Sequence, residues 1–311
     1  MAITAAMVKD LRELTGAGMM DCKKALTETN GNMDEAVEYL RKNGQAKAEK
    51  KAGRIAAEGI CRVITKDNKT AAVVEVNSET DFVAKNEKFQ TYVEAVAEQV
   101  LTSNAADLDA FMEESWQADT SKSVKDVLVE QIAVIGENLK IRRFEKVNAE
   151  DGMVVTYLHG GGRIGVLVAA QTDVTNDAVK EALVNVAMQV AALSPKYVTR
   201  DEIDEDYIAH EKEILLAQIQ NDPKEASKPE KVIEGMIQGR INKELKEICL
   251  VDQIYVKAED GKQTVGQYIA QVAKENNANI VLKKFVRFET GEGLEKKNED
   301  FAAEVAAQMN A

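Results

Sequence analysis

Residues 60–76, ICRVITKDNKTAAVVEV, contain two short apolar runs on either side of a polar break. The runs Ile60–Ile64 and Ala72–Val76 have the β-branched composition that is typical of strands, and Lys66–Lys69 between them is typical of a turn. Before this segment the apolar residues follow a helical spacing, and that spacing ends here. The segment therefore predicts a β-hairpin.

A second segment further along the chain has the same plan. Met153–His159 predicts a strand, Gly160–Gly162 a turn and Ile164–Ala169 the returning strand. A helical pattern follows each hairpin, and a third strand is predicted later in each copy, at Leu139–Phe144 and at Val281–Phe288. The repetition indicates an internal duplication: two α+β subdomains, each a small antiparallel sheet with helices.

The segments that follow the two hairpins also begin alike. Thr80-Asp81-Phe82 stands after the first hairpin and Thr172-Asp173-Val174 after the second. We therefore expect Thr80 and Thr172 to occupy equivalent positions in the two copies.

The chain before the first hairpin predicts a three-helix unit. Thr4 can cap a first helix, a second runs from about Met19 to Glu28, and a third stops at Gly44. A core this small is marginal alone, so we interpret the unit as a docking module. Residues 45–58, rich in Ala and Lys, predict a solvated helical connector.

Residues 200–248 interrupt the second copy with two amphipathic helices around a polar break, which predicts an antiparallel helical hairpin of coiled-coil type. A tail opens at Gly291, with a last helix near residues 301–309. The predicted fold class is α+β, with the following divisions: 1–55, N-terminal module and connector; 56–148, first core subdomain; 149–199 and 249–290, second core subdomain; 200–248, helical hairpin; 291–311, C-terminal module.

Composition argues against several classes of function. With 40 Lys and Arg against 53 Asp and Glu, the net charge of -13 argues against direct nucleic-acid binding, since neutralising phosphates needs a concentrated basic surface. Cys22, Cys61 and Cys249 have no metal-site spacing and fit a reducing compartment. Signal and membrane-spanning patterns are missing from the sequence, so we expect a cytoplasmic protein without membrane contact.

Motifs for chemistry are equally missing. Gly16-Ala17-Gly18 follows no strand and lacks a third glycine, so it predicts a turn rather than a dinucleotide site. His159 and His210 are far apart in the sequence, and neither has an evident nucleophile or metal-ligand partner. We therefore predict no cofactor and no metal, and a binding protein rather than an enzyme.

Three contiguous segments resemble one family. Leu11–Leu26 (LRELTGAGMMDCKKAL), Glu75–Lys85 (EVNSETDFVAK) and Ile135–Arg143 (IGENLKIRR) are similar to signatures of the elongation factor Ts family. The resemblance covers nearly the whole chain. It implies a ubiquitin-associated-like N-terminal fold and a partner, elongation factor Tu, bound in its GDP and nucleotide-free states. It also implies an activity: faster GDP release, so that GTP can rebind.

The pair Asp81-Phe82 has two interpretations. Local spacing favours a capping box beginning at Ser78, with Phe82 packed in the core. The resemblance implies instead that Thr80, Asp81, Phe82 and Val83 form a wedge that enters the GTPase domain near its magnesium site. It further implies that other residues contact the partner, namely Met20, Lys23, Ile135, Gly136, Glu137, Asn138 and His159. Locally, residues 135–138 also predict a helix end.

Other hypotheses stay open at this stage. An adaptor or chaperone-like binder could use the N-terminal module and the helical hairpin without driving exchange. A hydrolase or transferase would need catalytic groups that converge in a cleft. The helical hairpin could join two copies as a homodimer, or could contact only the partner.

Overall fold

The computed structural model describes residues 2–295, so the helix predicted near residues 301–309 lies outside the described part. The protein is a mixed helix and sheet protein, in agreement with the predicted α+β class. Over residues 2–295, no helix combines the length and the apolar character that crossing a membrane requires.

The N-terminal helices are α1 (Ala5–Thr15), α2 (Met19–Glu28) and α3 (Met33–Lys51). Thr4 caps α1, as predicted, because its hydroxyl accepts a hydrogen bond from the backbone N–H of Met7 at 3.3 Å. The three helices enclose a small core whose buried members are Val8, Leu11, Cys22, Ala25, Leu26 and Ala36.

The first sheet is antiparallel and has the strand order β1-β2-β5. Its strands are β1 (Glu58–Lys66), β2 (Thr70–Ser78) and β5 (Lys140–Asn148). The elements between β2 and β5 are α4 (Asp81–Ala84), α5 (Glu87–Thr102), α6 (Leu108–Glu113), β3 (Ser115–Trp116), β4 (Asp119–Ser123) and α7 (Val124–Ile135). The hairpin is therefore confirmed, whereas α6, β3 and β4 are not predicted by the sequence pattern.

The prediction that the third helix stops at Gly44 is wrong. The helix α3 continues to Lys51, through the first half of the connector, which was predicted to be helical. Gly44 is buried, and a Cβ added there would lie 3.6 Å from the Cβ of Ala133 in α7. Gly44 therefore lies against α7, and Ala48, one turn later, belongs to the core of the first sheet.

The second sheet repeats the order of the first, as β6-β7-β8, and is again antiparallel. Its strands are β6 (Gly152–His159), β7 (Ile164–Thr172) and β8 (Ile280–Glu289). The helices between β7 and β8 are α8 (Asp177–Leu193), α9 (Glu205–Asn221), α10 (Pro223–Ala226), α11 (Glu230–Ile248) and α12 (Val265–Glu275), with single 3-10 turns at Arg200–Glu202 and Leu250–Asp252.

The two sheets share irregular features as well as strand order. The middle strand of each has a bulge in its pairing with the third strand, immediately before Val76 and immediately before Ala170. The first strand of each sheet has a glycine near its start. A Cβ added at Gly59 would lie 2.2 Å from the carbonyl oxygen of Val76, and one added at Gly152 would lie 1.9 Å from that of Ala170. The same close backbone approach therefore excludes a side chain at both positions.

The expected equivalence of Thr80 with Thr172 is wrong by two residues. β2 ends at Ser78 and β7 ends at Thr172. Ser78 donates its hydroxyl hydrogen to the carbonyl of Thr80, and Thr172 donates likewise to Val174, each at 3.0 Å. Ser78 is thus the counterpart of Thr172, and Thr80 has a different local environment.

The two sheets pack face to face. Their shared core consists of Cys61, Ala71, Val73, Val147, Val154, Leu167, Ala169, Val286 and Phe288. The backbone N–H of Cys61 donates to the carbonyl of Gly162, in the β6–β7 turn, at 2.6 Å. A Cβ at Gly165 would lie 3.0 Å from Val73, so this glycine also permits the close packing of the sheets.

The helices α9 and α11 pack against each other as an antiparallel pair, which we call the arm. At the start of α9, Tyr207 donates its hydroxyl hydrogen to Glu244 of α11 at 2.5 Å. Arg240 of α11 pairs with Glu225 of α10 at 2.7 Å. Ile219, near the end of α9, is fully buried. The short helix α10 occupies the region predicted as a polar break.

Candidate partner-binding site

The short helix α4 carries an exposed aromatic residue. Thr80 is its N-cap and accepts a hydrogen bond from the backbone N–H of Val83 at 3.3 Å. Val83 packs against the core of the first sheet, whereas the Phe82 side chain is 81% exposed. The local interpretation is therefore wrong on two points: the cap is Thr80 rather than Ser78, and Phe82 projects outward. We call Asp81 and Phe82 the tip.

Asp81 is a charged neighbour of this aromatic residue. Its carboxylate accepts a hydrogen bond from the ammonium group of Lys85, one turn later, at 2.7 Å. This bond lowers the pKa of Asp81 below its ordinary value, so the tip is negatively charged at neutral pH. Because the pair is exposed, Lys85 can release Asp81 to another partner at little cost.

Glu137 supports the backbone that leads into the tip. One oxygen of its carboxylate, Oε2, accepts hydrogen bonds from the backbone N–H groups of Glu79 at 3.0 Å and Thr80 at 3.1 Å. The other oxygen, Oε1, accepts from the hydroxyl of Thr80 at 2.6 Å. A single side chain from the turn after α7 therefore holds both residues that precede the tip.

A second set of hydrogen bonds joins the neighbours of Glu137, Gly136 and Asn138, to Glu79 and to the end of α3. Glu79 accepts a hydrogen bond from the backbone N–H of Asn138 at 2.6 Å, and the amide side chain of Asn138 donates to the carbonyl of Arg54 at 2.8 Å. Lys51, the last residue of α3, donates to the carbonyl of Gly136 at 2.6 Å. The end of α3, the start of α4 and the end of α7 thus meet here. We call Glu79, Thr80, Glu137 and Asn138 the anchor cluster.

The turn after α7 shows which of its residues a partner can reach. Gly136 ends the helix in a left-handed conformation with φ of 91°, which confirms the predicted helix end. Gly136 is exposed and Ile135 and Glu137 are half-buried, whereas Asn138 is only 2% exposed. Burial does not fit a direct contact for Asn138, because its side chain is occupied inside the protein.

The N-terminal module presents its own exposed apolar surface. Met20 is 74% exposed and Lys23, on the same helix, is exposed as well. Leu14 and Met19 are likewise exposed, at 67% and 60%. These two residues lie on either side of the Gly16-Ala17-Gly18 turn.

His159 lies at the end of β6 and is exposed. Its Nδ1 atom lies 3.0 Å from the hydroxyl oxygen of Tyr157. The glycines that follow, Gly160 to Gly162, all have positive φ, which explains why three glycines stand in this turn. The structure brings this turn close to the tip, because Thr80, Phe82, Gly160 and Gly161 line one open groove of about 650 Å³.

Sequence reasoning missed a buried charge network between the sheets. Glu75 is fully buried and accepts hydrogen bonds from Arg142 at 2.9 Å, Arg143 at 2.6 Å and the backbone N–H of Gly291 at 2.8 Å. Burial alone would raise the pKa of Glu75, but Gly291 and the two arginines outweigh it and lower that pKa. Arg143 also lies 4.3 Å above the ring of Phe288.

Comparisons with known proteins agree with the resemblance. A family model described as "Elongation factor TS" matches residues 79–292. The elongation factors Ts of Clostridium novyi (strain NT) and Clostridium botulinum (strain ATCC 19397 / Type A) are each 50% identical over 309 residues, which is 99% of either chain. That of Trichlorobacter lovleyi is 49% identical over 312 residues, covering 99% of this chain and 98% of the relative.

These matches define a translation factor that promotes nucleotide exchange and is not an enzyme. The chain belongs to the elongation factor Ts family. Membership implies elongation factor Tu as the partner and a role in translation elongation. The resemblance identified from the three sequence signatures is therefore confirmed.

Proposed function

We propose that this protein binds GDP-bound elongation factor Tu and inserts the tip, Asp81 and Phe82, beside the magnesium and phosphate site of the GTPase domain. GDP then dissociates and GTP rebinds. The observation that carries this proposal is the exposure of Phe82, which leaves 81% of a large aromatic side chain in solvent at a helix N-terminus. An exposed aromatic side chain is a typical anchor for a pocket on a partner.

The mechanism disturbs binding and breaks no bond of the nucleotide. In GTPases the magnesium ion bridges nucleotide phosphates to the protein, so displacing the groups that hold it weakens GDP binding. Phe82 would supply the bulk of the wedge, and the carboxylate of Asp81 would compete for the polar groups around the ion. Thr80 and Val83 support the wedge, Thr80 as the helix cap and Val83 through its packing in the core.

Linkage constrains the cycle. If the factor lowers the affinity for nucleotide, then nucleotide lowers the affinity for the factor by the same ratio. The complex of factor, GTPase and nucleotide is therefore an intermediate that either ligand can leave. The nucleotide-free complex is the stable species, and the concentrations of GDP and GTP set the direction of exchange.

Several exposed residues away from the tip are proposed as further contacts with elongation factor Tu. On the N-terminal module these are Met20 and Lys23, both exposed on α2. On the core they are Ile135 and Gly136, at the end of α7. His159, at the end of β6, would contact a separate region of the partner. Glu137, whose carboxylate is bonded to Glu79 and Thr80, and the buried Asn138 would act from inside the protein.

The domain organisation is likewise a proposal. Residues 1–55 would be a ubiquitin-associated-like docking module, residues 56–148 and the paired segments 149–199 and 249–290 a duplicated core, and residues 200–248 an inserted arm. We propose that the arm joins two copies of the chain as a homodimer; exposed apolar residues on it, Ile214, Leu216 and Val232, support this. We also propose a cytoplasmic protein without direct nucleic-acid or membrane contact.

The test is release of a fluorescent GDP analogue from elongation factor Tu in the presence of excess GTP. Substoichiometric protein should accelerate release with turnover, since each molecule leaves one GTPase and acts on the next. Binding to elongation factor Tu without faster release would instead make the protein an adaptor and would refute the exchange mechanism.

A further inference from the structure

We propose that Glu137 is a positioning residue: it acts on nucleotide exchange through the tip, by fixing the backbone from which Phe82 projects, and not through contact with elongation factor Tu. This inference rests on the proposed function of the tip. It assigns to Glu137 a different role from that of its exposed neighbour Gly136.

The hydrogen bonds of Glu137 are already committed within the chain. Its carboxylate accepts from the N–H of Glu79, the N–H of Thr80 and the hydroxyl of Thr80, at 3.0, 3.1 and 2.6 Å. A carboxylate offers about four acceptor positions, so three of them are used inside the protein. Bonds to an ionised acceptor are stronger than neutral ones, which makes this a firm attachment.

The bond to the hydroxyl also controls the helix cap. A hydroxyl has one hydrogen, and Thr80 donates it to Glu137. The lone pairs are then free to accept from the N–H of Val83, which is the capping bond of α4. Glu137 thus orients the hydroxyl so that it can cap the helix that carries Phe82.

The tip needs such support because α4 is very short. The helix has four residues, and a helix of that length does not form by itself in water. Phe82 contributes little packing of its own, since its side chain is 81% exposed. The orientation of the tip therefore depends on Val83 on one side and on Glu137 and Thr80 on the other.

Glu137 is itself held in place from two directions. Gly136 turns the chain out of α7, and Lys51 donates to the carbonyl of Gly136 at 2.6 Å. Asn138 is fixed by its bonds to Glu79 and to the carbonyl of Arg54. The direction of the tip is thereby tied to α3 and α7, which are long helices, and an ordered tip avoids an entropy cost on binding.

The experiment measures the GDP release catalysed by Glu137→Ala, Phe82→Ala and the double variant. We expect Glu137→Ala to slow release by about 10-fold or more, the effect of losing charge-assisted hydrogen bonds that order the tip. In the Phe82→Ala background the same change should have little further effect, because the two residues act through one element. Glu130→Ala, which breaks an ion pair of α7 with Lys122, is the matched control and should leave exchange unchanged.

Conservative variants keep the test informative even where Glu137→Ala folds poorly. Glu137→Gln can accept from both backbone N–H groups and donate to the Thr80 hydroxyl oxygen, so it should restore most of the rate. Glu137→Asp keeps the charge but withdraws the carboxylate by one methylene, so it should remain slow. Hydrogen exchange at residues 79–83 should be faster in Glu137→Ala and Glu137→Asp, with the amides of α5 unchanged.

The outcomes separate this inference from the proposed function. Suppose that Phe82→Ala slows release. If Glu137→Ala then leaves release unchanged, or slows it by the same factor in the wild-type and Phe82→Ala backgrounds, Glu137 does not act through the tip and the inference is overturned. If Phe82→Ala itself catalyses release at the wild-type rate, the proposed function fails and the inference fails with it.

Discussion

Asn138 donates its backbone N–H to the carboxylate of Glu79 across 2.6 Å, and this bond joins the turn after α7 to the residue that precedes the capped start of α4. These two residues are 59 positions apart in the chain. The second and third sequence signatures, which we identified as separate segments, are therefore one structural unit.

The side chain of Asn138 extends this unit to α3, and its removal should destabilise the protein. Asn138→Ala removes a buried side chain that donates to the carbonyl of Arg54 at 2.8 Å. We expect a loss of about 1–3 kcal/mol in the free energy of unfolding, measured by chemical denaturation. The exposed Asn104 offers a control, since Asn104→Ala should stay within about 0.5 kcal/mol of wild type. Equal values for the two variants would contradict the buried role.

Glu75 should be a major contributor to stability. Glu75→Gln removes the buried carboxylate that accepts hydrogen bonds from the partly exposed Arg142 and Arg143, so we expect a loss of about 2–3 kcal/mol. Glu145→Gln, which removes a partly exposed ion pair with Lys284, should cost at most about 1 kcal/mol. A Glu75→Gln variant as stable as Glu145→Gln would show that the network does not hold the sheets together.

The same carboxyl predicts a dependence of stability on pH. The pKa of Glu75 in the folded protein lies below its ordinary value, so its contribution is complete above the unfolded-state pKa. That contribution decreases as the pH falls through the lower, folded-state pKa. Unfolding free energies measured between about pH 7 and pH 3 should fall more steeply for wild type than for Glu75→Gln. Parallel curves would contradict the lowered pKa.

The three cysteines should be unreactive in the folded protein. Cys22, Cys61 and Cys249 are all buried, and burial raises the pKa of Cys61 to about 11. Because the thiolate is the reacting form, a thiol reagent at neutral pH should modify them slowly until the protein is denatured, and then titrate three groups. Rapid modification of one thiol in the native protein would reveal local opening that the packing does not predict.

Self-association should depend on the arm. We expect light scattering to give a dimer for the wild-type chain and a monomer for a variant with Ile214→Glu and Val232→Glu, because both residues are exposed apolar positions on the arm. Exposed positions tolerate charge, so circular dichroism should be unchanged. A dimer that survives these changes, and also survives deletion of residues 201–245, would assign self-association to another surface.

Local patterns predicted the regular elements of this fold well. The hairpin at residues 60–76, its counterpart at 153–169 and the helical pair of the arm follow from periodicity and turn residues alone. Errors arose where long-range packing overrides local preference. Gly44 is a helix breaker by propensity, yet α3 passes through it because α7 packs closely there.

The candidate site was only partly predictable. Spacing alone favoured a buried Phe82, and only the resemblance favoured an exposed one. The anchor cluster could not be derived, because its bonds join residues far apart in the chain. Glu75 did leave a signal, a charged residue inside the apolar run Ala72–Val76, but its partners Arg142, Arg143 and Gly291 are set by tertiary structure.

The most direct test of the account compares binding and exchange in Phe82→Ala. Because the side chain is 81% exposed, the substitution should change the free energy of unfolding by no more than about 0.5 kcal/mol. With the variant saturating elongation factor Tu, we predict complex formation together with release of the fluorescent GDP analogue at least about 10-fold slower than with wild type. Release at the wild-type rate from a saturated complex would contradict the wedge mechanism.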